Sequence, residues 1–384
     1  MRNLVSRFCI SIIDTHLNAP IMNTAFITRI IPVLLVAGQT VATASPIIYS
    51  HTTGPAYAIS ADDNDDTPYK TLAFTGITLV RAQTSGGGLT VEGGSGPGVK
   101  VELFIRGNNG NGSLSKEEIE DRLKDYDISI RQEGSTVVAT AKQRGSFGWN
   151  WKRGLSISFK FTTPRNMATN ISTSGGSIRM SHLVGKQRFE TSGGSISLAD
   201  LKGDIEGNTS GGGIKLTECH DRVAVETSGG SIEASNPSGN LKMHTSGGGI
   251  RITNLNGMIN VETSGGSITG EKIDGELKAG TSGGGIRIRD MAGSIDAETS
   301  AGSVEVNFTR VDKYVKLETS AGSVRVQMPM DKGLSLDLSG SHVSAPLSNF
   351  SGSAERDRIV GKTNGGGIPV VLSATAGSVS INQR

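Results

Sequence analysis

Acidic and amide residues recur along this chain at a fixed interval, and they are the first candidates for chemistry. Asp200, Glu218, Asn236, Asn254, Lys272 and Asp290 stand 18 residues apart. An aspartate in each glycine-rich turn is how calcium-binding β-rolls hold their ion. Here a lysine interrupts the series and the turns read Thr-Ser-Gly-Gly, so the column is assigned to solvated turn residues. No metal and no other cofactor is expected.

A second series is Arg179, Ser197, Lys215, Glu233, Arg251, Thr269, Arg287, Glu305 and Arg325. A β-helix enzyme acting on polysaccharide needs carboxylates clustered with bases, so that one group moves a proton while another holds substrate charge. This series mixes signs without such a cluster. Lys215, Glu233 and Arg251 instead predict ion-pair ladders across neighbouring repeats, worth about a few tenths of a kcal/mol each. Cys219 aligns with Leu183, Leu201, Leu255, Ile273 and Met291, which predicts a buried apolar substitute and not a nucleophile. His182, His220, His244 and His342 are scattered and read as isolated surface histidines. No catalytic residue is assigned, and the chain reads as a non-enzyme.

One segment stands apart from any repeat. Phe147-Gly148-Trp149-Asn150-Trp151-Lys152-Arg153 holds both tryptophans of the chain. Aromatic rings beside polar groups stack on sugars or anchor a protein partner. Two readings stand: a hairpin tip whose rings pack over a cap, which is favoured, and a ligand contact made by Trp149, Trp151, Lys152 and Arg153.

The columns imply an element that positions them. Thr-Ser-Gly-Gly, or Thr-Ser-Ala-Gly, begins at Thr173, Thr191, Thr209, Thr227, Thr245, Thr263, Thr281 and Thr299, always 18 residues apart, and the next start, Thr319, follows after 20. Degenerate copies lie at Ser339-Gly340-Ser341, Thr363-Asn364-Gly365-Gly366 and Thr375-Ala376-Gly377, and an isolated copy, Thr84-Ser85-Gly86-Gly87, lies far upstream. Two places after the glycine pair runs an apolar column, Ile178 to Val324, with Met180, Leu198, Leu216 and their equivalents two places further on. Such alternation is that of a strand with one buried face. A second strand, through Ile205, Val223, Leu241 and Ile259, closes each repeat. Between the strands a glycine column, Gly185, Gly203, Gly239, Gly257, Gly275 and Gly293, interrupted by Asp221, predicts a left-handed corner. The expected fold is therefore all-β, a single-stranded β-solenoid of the parallel β-helix or β-roll kind, with 18-residue rungs.

Composition agrees. Aromatics are 4% of the 384 residues and glycines number 53, which excludes a thick globular core, while 35% hydrophobic residues suffice for a narrow one. Lys and Arg against Asp and Glu is 38 to 36, with the signs interspersed, which argues against a nucleic-acid partner.

The N-terminal region reads as a targeting segment. Starting from Met22, a polar stretch ending at Arg29 leads into an apolar run, Ile30 to Ala37, and Ala42-Thr43-Ala44 forms an A-x-A cleavage signal. Residues 1–44 are expected to be a signal peptide, with the start at Met1 or Met22, and 45–70 a disordered linker. Irregular rungs and a cap with one short helix are expected over 71–170, where Ser115-Lys116-Glu117-Glu118 forms a capping box. Regular rungs follow over 171–384, degenerate after about 338. Cleavage would remove Cys9 and leave Cys219 without an intramolecular disulfide partner. No transmembrane span is expected in the mature chain.

The Thr-Ser-Gly-Gly-Ser-Ile rungs, the leading Thr84-Ser85-Gly86-Gly87-Gly88-Leu89-Thr90-Val91-Glu92-Gly93 and the run Leu155-Ser156-Ile157-Ser158-Phe159-Lys160-Phe161-Thr162-Thr163-Pro164 together resemble the bacterial putative-adhesin domain family of exported proteins. The resemblance covers roughly Thr71 to Arg384 and implies a secreted or envelope β-solenoid, with no catalytic residues to transfer. The first reading of function is a non-catalytic adhesin presenting its solenoid surface to a cell-surface glycan or protein. Two alternatives remain open. One is a carbohydrate-binding or carbohydrate-active β-helix using Trp149 and Trp151, and the other is a periplasmic accessory protein in envelope-stress signalling. All three place the protein outside the cytoplasm, in the periplasm, on the outer surface or in the medium; its oligomeric state is left open.

Overall fold

The computed structural model describes residues 67–108, 114–144 and 154–384. The expected signal peptide, most of the linker and the two tryptophans lie outside the described residues.

The chain forms a β-solenoid of about nine turns with about 18-residue spacing, and its described strands join in one hydrogen-bonded sheet. The regular rungs are 14-residue strands such as Ile178–Thr191, Ile196–Thr209 and Ile214–Thr227, paired parallel and in register. Ile196 stands beside Ile178 and Ile214, and Leu198 beside Met180 and Leu216, so like apolar residues stack in buried columns from rung to rung. A buried Ile or Leu is worth about 1.5–3 kcal/mol. A rung collects that gain only when its neighbours cover it, which is why the repeat must stack. One rung is split into Ile232–Ser235 and Ser238–Thr245. Pro237, which has no N–H to donate, lies in the gap.

The two expected corners are built differently from each other. At the first, Thr227 Oγ1 donates to the carbonyl of Gly212 on the preceding rung at 2.7 Å and accepts from the N–H of Gly230 at 3.2 Å. The same pair of bonds recurs from Thr173 to Thr299, so each buried threonine ties its own turn to the one before. The second glycine of the motif packs against the backbone of the neighbouring turn, and a Cβ on Gly230 would overlap the carbonyl of Gly212. At Gly229 the nearest atom to a Cβ would be 3.5 Å away. This difference explains why alanine replaces the first glycine at Ala301 and Ala321, but never the second.

The other corner uses the expected column, whose glycines and Asp221 all have positive φ, together with a second left-handed position three residues earlier. This earlier position in each regular rung is His182, Asp200, Glu218, Asn236, Asn254, Lys272 or Asp290, with φ between 50° and 58°, and in the rung where Asp221 interrupts the glycine column Asp221 is left-handed too, at φ 79°. In the uninterrupted rungs the earlier position is the one residue omitted from the pairing, so a rung is a single strand bent at one point and not two strands with a loop. The glycines have φ of 110° to 137°. They also admit the neighbouring rung, since a Cβ at Gly257 would overlap the carbonyl of Gly239.

Both ends depart from sequence order. Leu79–Thr84 and Leu89–Gly94 lie between the rung beginning at Ala168–Thr173 and the strands Thr136–Gln143 and Leu155–Pro164. The isolated Thr84-Ser85-Gly86-Gly87 is thus the direct neighbour of Thr173, whose Oγ1 donates to Gly87 O at 2.8 Å. At the other end Ile368–Ala374 and Ser378–Gln383 slot between Val304–Thr319 with Val324–Met328 on one side and Leu334–Ser339 with His342–Ser344 on the other. Antiparallel strands cover the outer edges: Tyr126–Glu133, Val99–Gly107 and Lys70–Phe74 at one end, Arg358–Thr363 and Phe350–Ala354 at the other. The copy at Thr363 is therefore not a rung corner. Its strand is antiparallel, and Thr363 Oγ1 is buried without a hydrogen-bond partner.

The helix Lys116–Leu123 begins with the expected capping box between Ser115 and Glu118.

Candidate functional site

The column weighed for calcium supplies the earlier left-handed position of this corner. Arg165 donates to both oxygens of Asp200 at 2.8 and 2.6 Å, His182 Nδ1 lies 2.9 Å from Asp200 Oδ2, and Asn254 donates to Asn236 Oδ1 at 2.8 Å. The His182 contact, with Arg165 adding to it, holds the Asp200 carboxyl below the usual aspartate range. Short polar side chains suit this conformation. Among the described residues no group of three or more His, Cys, Asp or Glu is arranged to hold a metal.

Cys219 is buried in its apolar column, as read, and burial pushes its thiol up to about 11. The histidines are less isolated than the sequence suggests: besides His182, His220 Nδ1 meets Ser238 Oγ at 2.7 Å.

Some outward charges on the second half of the rungs match the next rung. Arg188 pairs with Glu206 at 2.7 Å, Arg222 with Asp204, and Lys316 with Asp296 at 3.7 Å. On the first half, Lys215, Glu233 and Arg251 stand in register, but the close ion pair of this column is Arg287 with Glu305, at 3.0 Å.

A cluster missed by sequence reasoning surrounds the lengthened rung Val304–Thr319. Its two extra residues shift the register against Ile286–Thr299. Arg310 reaches Asp274 at 2.8 Å, Lys313 reaches Glu276 at 3.1 Å, and Tyr314 Oη donates to Glu276 Oε1 at 2.9 Å. These contacts pass over the rung between, where Ala292 and Ser294 are small. The one available signal was the 20-residue step from Thr299 to Thr319. Trp149, Trp151, Lys152 and Arg153 lie outside the described residues.

Residues 269–382 match the family described as Toastrack DUF4097. That match bears out, over this stretch, the resemblance to putative-adhesin domains. The chain is also similar to the crystal structure of a putative cell adhesion protein from Clostridium sporogenes ATCC 15579, at 11% identity and a TM-score of 0.16, over 82% of this chain and 99% of that one. A putative adhesin from Bacteroides fragilis NCTC 9343 is similar at 14% identity and a TM-score of 0.31, over 67% of this chain and 95% of that one. No curated protein matches the chain.

Proposed function

We propose that the chain is an exported, non-catalytic attachment protein, an adhesin that works by presenting the outer faces of its solenoid. The observation that carries this reading is repetition. Successive rungs set outward side chains at one constant interval along each face. A repetitive partner is then engaged many times, and weak contacts multiply into avidity. The match of 269–382 to the Toastrack family supports the reading, as does the leader expected over residues 1–44.

Two measurements test it. Protease shaving of intact cells, with mass spectrometry for peptides from residues 173–330 and a periplasmic marker as lysis control, should release those peptides; protection would move the protein to the periplasm. Beads carrying the purified chain should be retained on cells or cell-wall fragments. Retention no better than that of albumin-coated beads would overturn attachment.

A further inference from the structure

One outward column alternates in charge, with two breaks. Arg179, Lys215, Arg251 and Arg287 occupy every second strand; between them lie Ser197, Glu233 and Thr269, and Glu305 follows. Around Thr269 the strands run Glu233, Arg251, Thr269, Arg287, Glu305, side by side and in register. The signs read minus, plus, neutral, plus, minus, so a negative charge over Thr269 would complete the alternation.

The same place is a hollow. The short Thr269 between two long guanidinium side chains leaves a space of about 220 Å³, lined also by Thr253, Glu271 and Arg289. It borders Gly270, the glycine of an inward column that holds Leu216, Ile252 and Ile288 elsewhere. Three guanidiniums face one carboxylate in the lining. Among the described residues Arg251 and Arg289 have no ion pair or side-chain hydrogen bond, unlike Arg188, Arg222 and Arg310, each matched to a carboxylate. Arg287 gives its Nε–H to Glu305, and a guanidinium has four further N–H donors.

We propose that this hollow is a subsite for the carboxylate of an acidic sugar, seated over Thr269 between Arg251 and Arg287. The forked guanidinium matches a carboxylate with two parallel hydrogen bonds, and the Thr253 and Thr269 hydroxyls suit the hydroxyls of a sugar. Glu233 and Glu305 close the column on either side. The subsite therefore takes an isolated or terminal acidic sugar and repels a chain charged on every residue. That the acid comes from a glycan rests on the attachment reading; the anion site itself does not.

Saturation-transfer NMR on the purified chain, with glucuronic acid, N-acetylneuraminic acid, glucose and polygalacturonate as separate probes, tests this and distinguishes the two acids. At least one acidic monosaccharide should receive saturation, and glucose and polygalacturonate little. Thr269→Glu puts a carboxylate in the hollow and should abolish the signal while leaving the melting temperature unchanged or higher. The double variant Arg251→Gln, Arg289→Gln should weaken binding at least tenfold, and Arg188→Gln on the other face should not. No transfer to either acid, transfer to glucose equal to that of the acids, binding of polygalacturonate as strong as theirs, or binding that survives Thr269→Glu would each overturn the proposal. If beads still adhere after Thr269→Glu, attachment stands and this subsite is not its basis. If soluble acid binds but beads do not adhere, the subsite stands and attachment falls.

Discussion

Tyr314 Oη donates a 2.9 Å hydrogen bond to Glu276 Oε1, 38 residues earlier in the chain. The bond crosses the intervening rung above Ser294, and it exists because the lengthened rung carries Tyr314 outward. Burial, and then the Glu276 carboxylate, push the Tyr314 phenol up to about 12, while the phenol's hydrogen bond and Lys313 hold Glu276 below its usual range.

The pair makes stability depend on pH at both extremes. Tyr314 is raised in the folded state, so its contribution is full below about pH 10 and is lost as pH rises toward 12. Glu276 is lowered, so its contribution is present above the ordinary glutamate pKa and is lost as pH falls through the depressed one. Tyr314→Phe should cost about 0.5–1.5 kcal/mol at neutral pH. Urea unfolding of both proteins from pH 3 to 11 measures this; a gap that widens above pH 10 would contradict the assignment.

The two glycines of each corner should respond very differently to alanine. Gly229→Ala meets only ordinary contacts and should change stability by less than about 1 kcal/mol. Gly230→Ala drives a Cβ into a carbonyl oxygen and should cost more than about 3 kcal/mol, or prevent folding. Thermal unfolding of the two variants side by side is the check.

Threonine to valine gives a similar contrast. At Thr227 it removes both hydrogen bonds of a buried hydroxyl and leaves their partners unmet, at a cost of about 1–3 kcal/mol. At Thr363, whose hydroxyl is buried without a partner, the change should be neutral or stabilising. Equal losses at the two sites would show that the corner bonds contribute little.

Lys272 holds a left-handed corner with φ 56°. Asparagine adopts this conformation more readily, and Lys272→Asn should raise stability by a few tenths to about 1 kcal/mol. Calorimetry would detect the rise as a higher Tm, and a fall would mean that Lys272 makes a favourable contact of its own.

The regular rungs were legible because their signals are local and periodic. Ile178 through Val324, the buried threonines and the glycine pair each recur at fixed places. The glycine column is legible as a positive-φ position, but the second left-handed residue three places earlier is not, because Asn254 shares its column with residues as unlike as Lys272 and Glu218; Gly257 is needed both for its φ of 127° and for close approach. The pairing of Val315 with Val370 spans a long stretch of chain and leaves no periodic trace. The Arg251–Thr269–Arg287 hollow is likewise not legible in the sequence, although the column that holds it is. Mixed signs suggested mutual pairing, and only the structure shows which arginines are unmatched.

The slotting of Ile368–Ala374 between two stretches that precede it in sequence constrains the route of assembly. Regular rungs can be added one at a time, each templated by the last. At this end Leu334–Ser339 has no parallel neighbour to dock against until the later segment has filled the gap. Closing such a gap means ordering a long loop before its contacts reward it. The middle of the molecule can zip up from local contacts, while its tip must latch in a single late step.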